Sequence, residues 1–228
     1  MQHEHDEKNL ERERLVFFCD AVIAIAITLL ALNLKIQTAG PRFEFTDLLH
    51  AWHAFAAFFL SFSVIAVFWI NHHRFYVYIK AVDTKLIIFN MCWLMFIVLL
   101  PVITMLTAND FFNKPAMFLY STNVLIITYF QNAIWDYASS QKELVKDNIS
   151  QNIKREYHVG CNIAMGNAVF AMGVTWLSPL FAFITLFART FMFRRSAQQQ
   201  VARWTKKRAE KRKKLQAKET QAKPTPTE

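Results

Sequence analysis

The sequence predicts an all-α integral membrane protein with six transmembrane helices per subunit and both termini in the cytoplasm. Hydrophobic residues make up 54% of the 228 residues, and they are gathered into long runs separated by short polar connections. The first five runs are each about 20 residues long, which is the length an α-helix needs to cross about 30 Å of hydrocarbon. Lys and Arg are concentrated in alternate connections and in the C-terminal tail. These features favour a polytopic membrane protein over a soluble domain.

The hydrophobic runs follow one another through most of the chain. They are Leu15–Leu34, Ala51–Ile70, Leu86–Leu106, Met117–Trp135, Val159–Leu177 and Leu180–Phe193. The first run lacks a small-residue cleavage site and is too long for a secretory signal, so we interpret it as a span. The sixth run is shorter and contains Arg189, but it follows Ser178-Pro179, a pair typical of a helix start.

The charge distribution tests the number of spans. With six spans, 23 of the 26 Lys and Arg residues fall on the side of the two termini and 3 fall on the opposite side. Cytoplasmic segments carry such an excess of basic residues, so both termini are predicted to be cytoplasmic. Five spans would place the basic tail on the opposite side of the membrane, which the same rule disfavours.

The chain divides into three parts on this interpretation. Residues 1–13 form a charged cytoplasmic lead, residues 14–195 form the six-helix transmembrane domain, and residues 196–228 form a basic cytoplasmic helix with a disordered end. A segment rich in Lys and Arg can bind nucleic acid or the anionic heads of lipids. We favour lipid and expect no nucleic-acid partner, because no other part of the sequence resembles a nucleic-acid-binding module.

The first span contains a carboxylate, Asp20, which is unusual in a segment of this length. A charged side chain inside a span costs about 2.5–3.5 kcal/mol on insertion scales, so it is expected to have a partner or a function. Polar residues at the same depth in the second and third spans are Trp69, His72, His73, Asn90 and Trp93. We predict a structural polar cluster that holds Asp20, and a proton relay remains the alternative.

The opposite side of the first span carries a continuous stripe. At 100° per residue, the side chains within about 60° of Ile25 lie far from Asp20 around the helix. They include Arg14, Phe18, Ala21, Thr28, Leu29 and Leu32. Ordinary helix packing also explains such a stripe, since any apolar span contains rows of Leu and Ile.

The start of the first span resembles a known family. The run from Arg14 through Phe18 and Cys19 to Asp20 is similar to the RxxxFSD signature of the lysosomal potassium channel family, the transmembrane protein 175 family, in its prokaryotic branch. The WxxHH stretch from Trp69 to His73 and the basic C-terminal end extend the resemblance. Cys19 stands where the family has serine and is a weaker hydrogen-bond donor of similar size.

The resemblance implies a potassium-preferring cation channel of the plasma membrane, a homotetramer whose first span lines a central pore. It places the narrowest ring at Ile25 and further pore positions at Thr28, Leu29 and Leu32. The signature residues Arg14, Phe18, Cys19 and Asp20 then belong to the network with Trp69, His72, His73, Asn90 and Trp93.

The sequence lacks a filter of the TVGYG kind, since its 4 glycines form no such loop. A pore built here would therefore conduct through apolar side chains, which gate by losing water when they are close together.

Other classes of protein fit less well. The sequence contains no Ser/His/Asp or HExxH pattern, so an enzyme is not expected. His50 and His53 share a helix face but lack further ligands, and neither metal nor another cofactor is expected besides the permeating potassium ions. An ion-coupled secondary transporter remains the alternative because Pro101 and Asp20 interrupt spans, although the sequence shows no repeat. An accessory membrane protein also remains possible.

Overall fold

The computed structural model describes residues 2–34, 36, 42, 44–146, 149 and 151–189, and it describes the side chains of these residues except 2–9 and 152. Seven helices make up this part of the chain. They are α1 (Gln2–Leu32), α2 (Phe45–His50), α3 (Trp52–Tyr78), α4 (Thr84–Asn109), α5 (Lys114–Ser140), α6 (Gln151–Thr175) and α7 (Pro179–Arg189). The predicted all-α class is confirmed, and the predicted tail at 196–228 lies outside the described residues.

Each of the six predicted hydrophobic runs overlaps one of these helices, and residues 190–193 of the sixth run lie outside the described residues. Three helices are long and apolar enough to cross a membrane: α1 from Leu10 to Leu32, α3 and α4. The predicted start of α7 is confirmed, since the helix begins at Pro179 directly after Ser178. The transmembrane position of α5, α6 and α7 and the cytoplasmic position of both termini stay predictions.

Two connections differ from the sequence-based expectation. The polar connection between the first two hydrophobic runs, residues 35–50, contains α2, whose first turn is capped by Asp47 through a 3.0 Å hydrogen bond from the Glu44 backbone N–H. The connection predicted at 71–85 is helical as far as Tyr78. Helix α3 continues because His72, Phe75 and Tyr76 extend its buried face at helical spacing.

The helices pack mainly as sequence neighbours. Helix α4 packs against α1, α3 and α5, and α6 packs against α5. Aromatic rings fill the space where α3, α5 and α6 meet: the ring of Trp135 lies 5.1 Å from that of Phe75 and 4.8 Å from that of Tyr157. Trp135 is completely buried, so these contacts fix α3 against α5 and α6.

The connection after α3 and the connection after α5 are joined to each other. Ile79 forms an antiparallel bridge with Val145, and the Lys80 backbone N–H donates to the Leu144 carbonyl at 2.8 Å. The guanidinium of Arg12 on α1 donates to the Ile79 carbonyl at 3.1 Å. The N-terminal half of α1 is therefore bound to this joined segment.

Candidate functional site

Helix α1 has one buried face and one exposed face within a single subunit. The buried face includes Ile23, Ala26 and Leu30 and packs against α3 and α4. The exposed face carries the stripe that the sequence predicted, with the side chains of Ile25 59%, Leu29 38% and Leu32 75% exposed, and with Thr28 also exposed. Large apolar side chains left uncovered in a row indicate a surface that contacts lipid or further protein.

Thr28 brings a polar atom to this exposed face. Its hydroxyl donates to the carbonyl of Ile25 one turn earlier, at 2.8 Å. The hydroxyl has a single proton, so with that proton engaged the Thr28 oxygen is left as an acceptor toward whatever faces the stripe. Water or a cation can bind such an oxygen.

Asp20 lies on the side of α1 that faces α3. The indole Nε1–H of Trp69 on α3 donates to Asp20 Oδ1 at 2.7 Å. The Trp69 ring also stacks on the ring of His73 at 5.8 Å. A short hydrogen bond to a carboxylate is stronger than one between neutral groups, so this contact is a firm polar link between α1 and α3.

A second polar group lies between α3 and α4. Asn90 donates through Nδ2 to the Tyr76 hydroxyl at 2.7 Å and to the Leu86 carbonyl at 2.8 Å, which leaves its Oδ1 as the acceptor. His72 Nε2 lies 2.9 Å from that oxygen and so carries the proton. The His72 ring is stacked almost parallel on the indole of Trp93 at 4.7 Å. His72, Asn90 and Trp93 are all buried.

The structure thus divides the predicted polar cluster into two groups. Asp20 bonds to Trp69, which stacks on His73, whereas His72 bonds to Asn90 and stacks on Trp93.

The remaining signature residues are placed around the first turns of the span. Arg14 and Phe18 are exposed on the side of the stripe, and Cys19 is completely buried. Because Cys19 is buried, it acts as a small apolar packing residue at the position where the family signature has serine.

Several polar contacts of this region were not anticipated from the sequence. Tyr76 joins the group at Asn90, and its position one helical turn after His72 was a usable signal. The bond from Arg12 to the Ile79 carbonyl and the bond from Asn33 to the Pro101 carbonyl had no such signal, because backbone acceptors leave no mark in a sequence.

The fold and this arrangement define a multi-pass helical membrane protein in which polar bonds orient one apolar helix. Residues 14–101 match the family described as "Endosomal/lysosomal potassium channel TMEM175". A protein from Chamaesiphon minutus named as a potassium channel is 28% identical over 187 residues, covering 76% of this chain and 91% of that protein. A second potassium channel, from Streptomyces collinus, is 35% identical over 130 residues, covering 55% of this chain and 63% of that protein.

Solved structures agree with these sequence relatives. The crystal structure of a lysosomal potassium-selective channel TMEM175 homologue from Chamaesiphon minutus matches with a TM-score of 0.71 at 25% identity, covering 80% of this chain and 96% of the other. The potassium channel MtTMEM175 has the same fold, with a TM-score of 0.56 at 17% identity, covering 82% of this chain and 93% of the other. In sequence and in fold the chain is thus similar to the TMEM175 family, in its prokaryotic branch. This is a family of channels, which is not an enzyme class.

The bond between Trp69 and Asp20 generates the first prediction. Trp69→Phe removes the donor and leaves a carboxylate at membrane depth without it, so the free energy of unfolding is expected to fall by about 1–2 kcal/mol. Thermal unfolding of the purified protein in detergent measures this change. Trp176→Phe is the control, because Trp176 is exposed and its ring only approaches Phe118 at 6.1 Å. Equal losses in the two variants would contradict the prediction.

Proposed function

We propose that this protein is a potassium-preferring cation channel whose pore is lined by the exposed stripe of α1 from four identical subunits. The observation that carries the proposal is the exposed stripe, which runs along one face of α1. The opposite face of α1 is bonded to the rest of the subunit. The potassium-channel names of the relatives support the type of ion.

The constriction in this proposal consists of Ile25, Leu29 and Leu32. Leu32 lies seven positions after Ile25, so the apolar segment is about 10 Å long at 1.5 Å per residue. Four copies of α1 around an axis would bring these side chains together as rings. Narrow rings of this kind exclude water and so close the pore without a movable plug.

Thr28 supplies the polar contact within the apolar segment. The hydroxyl oxygen accepts, because its proton is bonded to the Ile25 carbonyl. Four such oxygens at one level would replace part of the hydration shell of a passing ion. Selectivity then depends on how far coordination by these oxygens offsets the free energy of dehydration of potassium compared with sodium. No filter of backbone carbonyls takes part.

The polar bonds on the opposite face of α1, and between the helices it packs against, keep the stripe directed at the axis of the proposed pore. Asp20 and Trp69 fix the rotation of α1 relative to α3, and the buried bond between His72 and Asn90 fixes α3 relative to α4. Arg14 and Phe18 lie on the exposed side of the same turns, where neighbouring subunits would meet.

The surroundings of the channel complete the proposal. In this proposal the protein lies in the plasma membrane of a prokaryotic cell and has both termini in the cytoplasm. Its basic segment at 196–228 contacts the anionic heads of lipids on that side, where each basic residue contributes about 1 kcal/mol near the surface.

Replacing Ile25 tests the constriction. Ile25→Asn puts an amide into the apolar ring, so we expect the current through the resting channel to rise about tenfold or more and the preference for potassium over sodium to fall. Planar-bilayer recordings in potassium and sodium measure both quantities. Ile88→Asn is the control, since Ile88 on α4 is similarly exposed at 54%. An unchanged potassium preference in Ile25→Asn rejects this position as the constriction.

Replacing Thr28 tests the polar ring. Thr28→Val keeps the shape of the side chain and removes its oxygen, so the ratio of potassium to sodium permeability is expected to fall by about three- to tenfold. Reversal potentials under mixed-ion gradients give the ratio. Thr122→Val is the control, because Thr122 on α5 is partly exposed and its hydroxyl donates to the carbonyl four residues earlier, that of Phe118, at 2.8 Å. If the two variants behave alike, Thr28 has no part in selectivity.

A further inference from the structure

Helix α4 contains a proline, Pro101, well inside its length and buried. Proline has no backbone N–H, so the carbonyl of Ile97 four residues earlier loses its usual partner in the helix. The proline ring also crowds the preceding turn, and a helix bends at such a place. The positions of the two parts of α4, before and after Pro101, therefore depend on the bonds that neighbouring helices make to α4 near the proline.

Buried hydroxyls from three helices meet next to this proline. Thr104 on α4 donates to the Leu100 carbonyl at 2.7 Å. Ser61 on α3 lies 2.7 Å from the Thr104 hydroxyl and 3.0 Å from the hydroxyl of Tyr120 on α5. These side chains are at most 5% exposed, so the bonds are protected from water. They fix the C-terminal part of α4 against α3 and α5.

Two side-chain amides also donate to backbone carbonyls on α4, at Phe96 and at Pro101. Asn123 on α5 donates to the Phe96 carbonyl at 3.1 Å. Asn33, directly after the last residue of α1, donates to the Pro101 carbonyl itself at 3.3 Å. The proline region of α4 is thus bonded to α1, α3 and α5.

We propose that Asn33 is a positioning residue that fixes the C-terminal end of α1 at Pro101 of α4 and so sets the width of the pore at Leu32. This inference rests on the proposed channel function. Leu32 precedes Asn33 in the chain and is the most exposed of the three apolar stripe residues, so any movement of this end of α1 moves Leu32 directly.

The geometry of α1 explains why a second anchor is needed. Asp20 and Asn33 are 13 residues apart, which is about 20 Å along a helix. A bond at Asp20 alone fixes the rotation of α1 near the middle of the helix and leaves its C-terminal end able to tilt away from the axis. A bond to the Pro101 carbonyl fixes the direction of the helix and connects it to a region of α4 that α3 and α5 also hold.

Three substitutions in the full-length protein separate the amide donor from size and charge. Asn33→Leu removes the donor at similar volume, Asn33→Asp removes it in the same shape, and Asn33→Gln retains an amide that can donate to the Pro101 carbonyl. Loss of one hydrogen bond corresponds to about a three- to tenfold change in an equilibrium constant. We expect that change in the open probability of single channels for the Leu and Asp variants, with the Gln variant close to the original protein.

A second measurement does not depend on conduction. Amide hydrogen exchange of peptides covering residues 29–34 is expected to accelerate by about three- to tenfold in the Leu and Asp variants, with no change for residues 15–24. Faster exchange in a protein that conducts no ions would support the anchor and reject the channel function. Unchanged exchange at 29–34, or equal effects of all three substitutions, would overturn the role of Asn33.

Discussion

The hydrogen bond from Trp69 to Asp20 is the constraint on which the arrangement of α1 depends. A carboxylate within a long apolar helix cannot face hydrocarbon without a large cost, so one face of α1 must turn toward a donor. Once that face is directed at α3, the periodicity of the helix leaves no freedom for the rest. Ile25 and Leu32 must then lie on the opposite side, uncovered by their own subunit.

A polar scaffold behind α1 extends this constraint into the bundle. The buried bond between His72 and Asn90 joins α3 to α4, and the hydroxyls of Ser61 and Tyr120 lie beside the part of α4 that contains Pro101. In an apolar environment each of these groups must find its partner within the protein, so together they allow few alternative arrangements. The apolar stripe needs such a rigid support because its own side chains form no directional bonds.

The sequence predicts the parts of this structure that follow from periodicity. The stripe on α1 and the inward direction of Asp20 could be derived because helical spacing alone determines them. The pairing within the polar cluster could not, since residues at similar depth offer several partners and only packing decides that His72 meets Asn90 while Asp20 meets Trp69. Contacts with backbone carbonyls, such as that of Asn33, could not be predicted because every residue has a carbonyl and the sequence does not mark which one is used.

The most direct test of the account is cation flux from liposomes that contain the purified full-length protein. Potassium and sodium efflux would be measured separately at equal gradients, with the same pH on both sides and no counter-substrate. The account predicts potassium efflux that needs no coupled ion and exceeds that of sodium. Absence of flux in every cation gradient, or flux that requires a proton gradient, would contradict it and return attention to Asp20 as a coupling residue.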